Sequence, residues 1–177
     1  MFCVVISDKD FDLEEKELVN PKRRIGARGI VVNENGEIAI FNKQAKNEFK
    51  LPGGGIDEGE EPQDAFVREI FEETGCSIKE IECIGYIDEI QSQENFAQHS
   101  YVFISKVEKM GKELHLTQKE KDEKAQLLWL KPKEALSKMR DCLNNLQESV
   151  YDNVYRSKFM VTRDCKILEL FLDSKEG

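Results

Sequence analysis

The sequence predicts an α/β fold in which a mixed β-sheet carries helices on its faces. Three observations point to it. Asn35-Gly36 stands between two β-prone runs, Ile30-Val31-Val32 and Ile38-Ala39-Ile40-Phe41. A glycine run at residues 53–55 opens into an amphipathic helix bounded by Pro62 and Gly75. Further apolar strands then alternate with helical patterns as far as residue 172.

In chain order, residues 2–6 are β-prone and suit an edge strand, and the acidic stretch 8–17 reads as a loop or a short helix. Residues 24–32 are the first strong strand. The Asn35-Gly36 turn predicts a hairpin of type I′, whose two central residues both need positive φ. The hairpin delivers residues 41–50, with Lys43, Lys46 and Lys50, to the glycine loop. The bland alternative is a set of solubilising lysines on a loop. Residues 82–91 read as a strand and 91–98 as a polar loop. Residues 99–107 form a second strand, with Tyr101, Val102, Phe103 and Ile104 interior to the sheet. Within it His99 reads as solvated, with a titrating role near a site as the alternative. Residues 106–124 are hydrophilic and predict a mobile loop, followed by a strand at 127–130 that contains Trp129. Pro132 starts a helix through about residue 143. Residues 146–172 are helical in character, in two pieces around Ser157, with an apolar end assigned to packing within the chain; a homodimer contact is the alternative.

The helix after the glycine loop has an unfavourable charge pattern. Pro62 suits its first position and Gly75 its stop. At about 100° per residue, Phe66, Val67, Ile70 and Phe71 form the core face. Arg68, Glu69, Glu72 and Glu73 fall opposite, with Ala65 among them. Glu69, Glu72 and Glu73 at i, i+3 and i+4 converge and repel, and the last-turn carboxylates meet the negative end of the helix dipole. Arg68 relieves part of this. A hard divalent cation would relieve the rest, and oxygen-only ligands favour Mg²⁺ or Mn²⁺ over zinc. A solvated acidic face is the bland alternative.

The spacing decides between them. Gly54, Glu60 and Arg68-Glu69-Ile70-Phe71-Glu72-Glu73-Thr74-Gly75-Cys76 stand at the offsets of the Nudix box. The chain therefore resembles the Nudix hydrolases, metal-dependent enzymes that cleave nucleoside diphosphates linked to another moiety. Cys76 replaces the usual aliphatic residue and serves as a small hydrophobe. The resemblance implies an α/β/α sandwich over about residues 24–143, within one domain spanning residues 1–177, plus a C-terminal helical extension at about 146–173. It also implies roles. Glu69, Glu72, Glu73 and the Gly53 carbonyl would hold metal, and Arg68 with Glu60 would brace the loop. Lys43 or Lys50 would contact substrate phosphate, and Tyr101 is a candidate for stacking on a base, against core packing. One more catalytic carboxylate would come from the 106–124 loop, Glu123 first and Glu120 next, with Glu69 as the alternative base.

Composition fits an ordinary soluble globule, 40% hydrophobic and 34% charged. A net charge of −9 argues against non-specific nucleic-acid binding, which depends on phosphate neutralisation, but leaves room for a small polyanion met through a cation. Five scattered cysteines signal neither a disulfide framework nor a zinc site. No run is long enough to span a membrane, the start lacks a secretory pattern, and a cytoplasmic location is expected.

The implied reaction is Mg²⁺-dependent hydrolysis of a P–O–P linkage in a nucleoside triphosphate-type substrate. ADP-ribose, dinucleotides and RNA 5′ ends are alternatives. ADP-ribose is disfavoured because no proline stands between Pro62 and Pro132. A non-catalytic Nudix-fold binding module would be expected to lose box carboxylates, and all are present. An isoprenoid diphosphate isomerase would need a cysteine and histidine ligands that cannot be placed.

Overall fold

The computed structural model describes residues 1–111 and 113–176, so Lys112 of the predicted 106–124 loop lies outside the described residues. Eight strands form one mixed sheet: β1 (Phe2–Ser7), β2 (Lys22–Val32), β3 (Ile38–Lys43), β4 (Glu48–Lys50), β5 (Gly53–Gly55), β6 (Ser77–Gln91), β7 (Phe96–Lys109) and β8 (Ala125–Leu130). The order is β1-β6-β7-β2-β3-β4, with β5 paired to β2 and β8 to β3. β1 runs parallel to β6, β2 runs parallel to β7, and the other pairs are antiparallel. The helices are α1 (Pro62–Thr74), α2 (Gln118–Asp122), α3 (Pro132–Leu143) and α4 (Val154–Glu176). Among the described residues no helix is long and apolar enough to cross a membrane.

Alternation along β2 divides the core, because successive strand residues face opposite sides. Ala27 and Val31 join Phe66 and Ile70 of α1 on one face, where Phe66 stacks on Phe103 at 5.0 Å. Ile30 joins Met139 of α3 and Phe159, Ile167 and Leu168 of α4 on the other. The mixed sheet between helical layers is as expected. The apolar end of α4 is buried within the chain.

Several local expectations need correction. The hairpin turn is not type I′, because only Gly36 has positive φ (69°). The Asn33 side chain accepts the backbone N–H groups of Asn35 and Glu37, holding a type I turn that ends in a left-handed glycine. The 82–91 strand starts earlier, at Ser77, and the 91–98 loop is cut short by β7, which starts at Phe96. The 106–124 stretch holds the end of β7 and α2, whose N-cap Thr117 forms a capping box with Glu120. α4 runs unbroken through Ser157 because that hydroxyl is buried and accepts from Lys46 Nζ at 3.2 Å. On α1 the buried stripe is Ala65, Phe66, Ile70, Glu73 and Thr74. Val67 and Phe71 are exposed. The helix is rolled so that part of its acidic face turns towards the glycine loop.

Candidate active site

The site is built where β5, the glycine loop, lies along β2 against α1. Gly26, Ala27 and Arg28 pair with Gly55, Gly54 and Gly53. Two of these glycines are required by space. Gly53 has φ 138°, and a Cβ there would lie 2.4 Å from the Ala27 carbonyl oxygen. A Cβ on Gly54 would lie 2.3 Å from the Glu69 carboxylate. The bare backbone therefore brings the loop against the acidic helix. Gly75 ends α1 in the left-handed conformation, with its N–H bonded to the Phe71 carbonyl at 2.8 Å, as its position predicts.

Arg68 fastens loop to helix. Its Nε and Nη2 donate to the two oxygens of Glu60 at 2.8 and 2.9 Å, a bidentate pair, and Nη2 also donates to the Gly55 carbonyl at 3.0 Å. Hydrogen bonds from Arg68 and the Asp57 backbone hold the Glu60 carboxyl down at about 2. Nη1 lies 2.8 Å from Glu69 Oε1 and 3.5 Å from Glu72 Oε2. A single cationic nitrogen is thus shared by two box carboxylates.

Glu73 is arranged differently. It is buried, accepts the Gly53 N–H at 2.7 Å and pairs with Lys50 at 2.9 Å. Burial raises its carboxyl above the ordinary range despite Lys50 and the Gly53 amide. The predicted convergence of all three glutamates is therefore absent. Among the described residues no three His, Cys, Asp or Glu side chains stand together so as to hold a metal. The donor chemistry nevertheless suits a hard divalent ion: the ligands are oxygen only, no basic residue neutralises the last turn of α1, and two carboxylates already share a cation.

The lysines expected to contact phosphate or to solubilise the approach to the glycine loop are buried. Lys43 lies 2.8 Å from Glu123 and 3.6 Å from Glu48, and Lys46 lies 3.0 Å from Glu48 and 3.4 Å from Asp152. Burial alone would lower the Lys43 ammonium, but Glu48, Glu123 and Asp152 outweigh it and raise it. Lys50 is held by Glu73. None of the three is a free phosphate ligand in this arrangement.

Glu123 is 2% exposed, paired with Lys43 and bonded to the Ser149 hydroxyl. Its partners lie outside α1 and the glycine loop, so the loop carboxylate expected first belongs to a structural cluster. Glu120 remains half-buried and lies close enough to Glu73 to raise it electrostatically. Tyr101 is half-buried on the α1 face, edge-on to His99 at 4.8 Å. His99 is not merely solvated, because its Nδ1 lies 2.7 Å from Asp88. Cys76 is buried, as its hydrophobic role requires, and all five cysteines are free.

Sequence reasoning missed a second polar layer on the α4 side of β2. Arg28 is 4% exposed; its side chain forms no ion pair and its Nε has no hydrogen-bond partner among the described residues. Burial and neighbouring Arg163 push its guanidinium down to about 10, against the pull of Asp164 and Glu89. Arg163 of α4 bonds Glu89 at 2.9 Å and Asp164 at 2.8 Å, and Asp164 accepts the Leu51 N–H at 2.9 Å. The available signal was an arginine inside the apolar run Gly26-Ala27-Arg28-Gly29-Ile30.

A glycine loop laid along a sheet strand and fastened by arginine to an acidic helix defines an α/β sandwich of the Nudix type. The NUDIX domain model matches residues 22–154, and the chain belongs to that family. An RNA pyrophosphohydrolase of Vibrio atlanticus (strain LGP32) is 31% identical over 61 residues, 34% of this chain and 36% of that protein. One of Bartonella quintana (strain Toulouse) is 42% identical over 81 residues, 40% of this chain and 44% of that protein. The chain thus spans less than half the length of these curated relatives. Among solved structures, a MutT protein from Methanosarcina mazei Go1 superposes with TM-score 0.54 at 18% identity, covering 90% of this chain and 99% of that one. A NUDIX hydrolase from Nitrosomonas europaea gives TM-score 0.55 at 15% identity, covering 70% and 88%. These structural likenesses concern the fold.

Proposed function

We propose that this protein hydrolyses a phosphoanhydride bond in a nucleoside diphosphate-linked substrate, of nucleoside triphosphate type, with Mg²⁺ or Mn²⁺. The observation that carries the reading is Arg68 joining Glu60, Gly55, Glu69 and Glu72 in one assembly. It fixes bare loop backbone beside the acidic end of α1, a pre-set geometry of the kind phosphoryl chemistry exploits. Glu69, Glu72 and the Gly53 carbonyl would hold the ion, joined by Glu73 if Lys50 releases it. Such an ion, when bound, would supply positive charge against the diphosphate oxygens and lower the pKa of water. Arg68 and Glu60 hold the loop, the Gly53–Gly55 backbone lets substrate approach, and Glu120 or Glu69 takes the proton from the attacking water. Buried Glu123 keeps Lys43 and Lys46 neutralised.

The names of the curated relatives support a second reading, the triphosphorylated 5′ end of RNA. The run Lys22-Arg23-Arg24 beside the glycine loop, without ion pairs among the described residues, agrees with an anionic substrate. The test is release of phosphate and pyrophosphate, with Mg²⁺ and with a chelator, from nucleoside triphosphates, ADP-ribose, dinucleoside polyphosphates and 5′-triphosphorylated RNA. The proposal expects chelator-sensitive cleavage of a nucleoside triphosphate. Cleavage of RNA alone would select the second reading, and no cleavage of any member would reject both.

A further inference from the structure

A cavity of about 380 Å³ lies on the α4 face of the sheet, beside the glycine loop. Its floor is the far end of the polar layer: Glu89 of β6 and Gln98 of β7. α4 supplies one wall with Met160, and Phe96 supplies apolar surface. Lys22 and Arg24 stand at the rim without ion-pair partners among the described residues. Arg24 reaches the glycine loop, since its Nη2 lies 3.3 Å from where a Gly55 Cβ would be. At Gly26 the glycine loop packs close on β2: a Cβ there would lie 2.9 Å from the Gly54 carbonyl oxygen, 3.4 Å from Arg28 Nη2 and 3.8 Å from Gln98 Nε2. Arg24 is therefore the side chain that links the cavity rim to the loop that the proposed hydrolysis uses.

Two acceptors in this floor have no protein partner among the described residues. Glu89 is 1% exposed. Its Oε2 accepts from Arg163 at 2.9 Å and Gln98 at 3.1 Å, whereas Oε1 is buried and accepts nothing. Gln98 is 6% exposed, and its amide nitrogen donates to Glu89 and to Ser100 Oγ at 3.0 Å. Donation to a carboxylate fixes the amide orientation and leaves its oxygen as the second open acceptor. A buried carboxylate oxygen left unpaired is unfavourable unless something donates to it. Two open acceptors on side chains that are hydrogen-bonded to each other suit a ligand edge with two adjacent donors. Among the common bases, guanine presents that edge, with its ring N–H and exocyclic amino group. Adenine, cytosine and uracil each set a donor beside an acceptor.

We propose that this cavity is a base subsite for a guanine nucleotide: Glu89 and Gln98 read the donor edge, Phe96 and Met160 cover the ring faces, and Lys22 and Arg24 at the rim turn the phosphates towards the glycine loop. The inference rests on the proposed hydrolysis only for the direction in which the phosphates run. α4 lies almost entirely beyond residues 22–154, so Met160 and Arg163 are this chain's own contribution to the pocket.

Base recognition and hydrolysis can be measured apart. GMP, AMP and UMP have no phosphoanhydride bond, so calorimetric binding reads the subsite without turnover. GMP should bind about tenfold or more tightly than AMP or UMP, the difference that one or two charge-assisted hydrogen bonds make. Glu89→Gln should abolish the preference. Met160→Trp fills the cavity without touching an ion pair and should weaken GMP at least tenfold at unchanged melting temperature, which keeps the test usable if Glu89→Gln does not fold. Equal binding of the three nucleotides, no binding of any, or undiminished GMP affinity in Met160→Trp would each overturn the subsite. Phosphate release from GTP and ATP with Mg²⁺ is measured in parallel. GMP preference without cleavage rejects only the hydrolase reading, and cleavage without base preference rejects only the subsite.

Discussion

The carboxylate of Asp164, on the C-terminal helix, accepts the backbone N–H of Leu51 at 2.9 Å, two residues before the glycine loop. Both residues are buried, and the other Asp164 oxygen accepts from Arg163 at 2.8 Å. A helix almost entirely beyond the matched family stretch thus fixes the entry to the loop. Asp164→Ala leaves a buried amide and a buried guanidinium short of a partner, a loss of about 3–5 kcal/mol in stability. Denaturant unfolding should show that loss, with activity falling in parallel because the loop is no longer held. Full stability with lost activity would move Asp164 from support into the chemistry.

Arg68→Lys keeps the charge but removes the planar fork that grips Glu60. Melting temperature and kcat should fall together, whereas a rise in KM alone would place Arg68 on the substrate.

The same pair predicts an acid limit. Arg68 and the Asp57 amide hold Glu60 at about 2, below its ordinary 4.5. A depressed carboxyl contributes stability that is present above 4.5 and is lost as pH falls towards about 2. Wild type should therefore lose melting temperature more steeply than Glu60→Gln across that interval. Parallel curves would show that the pair adds nothing to folding.

Glu120 and Glu123 are separable. Glu123→Gln leaves buried Lys43 and Lys46 under-neutralised, so stability should fall by several kcal/mol. Glu120→Gln should keep the fold and, if Glu120 is the base, lower kcat about 10²–10⁴-fold. The check is kcat at saturating Mg²⁺ with melting curves for both variants. Loss of activity at full stability in Glu123→Gln instead would restore it as the catalytic carboxylate.

Features set by spacing along the chain were legible in the sequence. Pro62, Gly75 and the Gly54–Glu60–Arg68 offsets are local rules, and the loop and helix they imply are present. The sequence offers Lys43, Lys46 and Lys50 as phosphate contacts or solubilising loop lysines and does not show their burial, which depends on distant partners: Lys46 meets Asp152 106 positions away, and Lys50 meets Glu73 23 away. Likewise the side chain of Asn33, just outside the Asn35-Gly36 pair, sets the turn type. The i, i+3, i+4 rule placed Glu73 on a shared face, but Gly53 and Lys50 draw it inward, a tertiary effect that helix spacing does not contain.

The most direct test of the metal-dependent mechanism is kcat/KM for the preferred nucleoside triphosphate, with Mg²⁺, in wild type and Glu72→Gln. Glu72 is 41% exposed at its side chain and has one long contact, to Arg68, so its loss should leave the fold intact. If Glu72 helps hold the ion, the rate should drop at least about 100-fold, the scale on which loss of a transition-state charge partner acts, and calorimetric Mn²⁺ binding should weaken with it. A variant that melts like wild type and cleaves at the wild-type rate would contradict the assignment of this helix as the catalytic metal site.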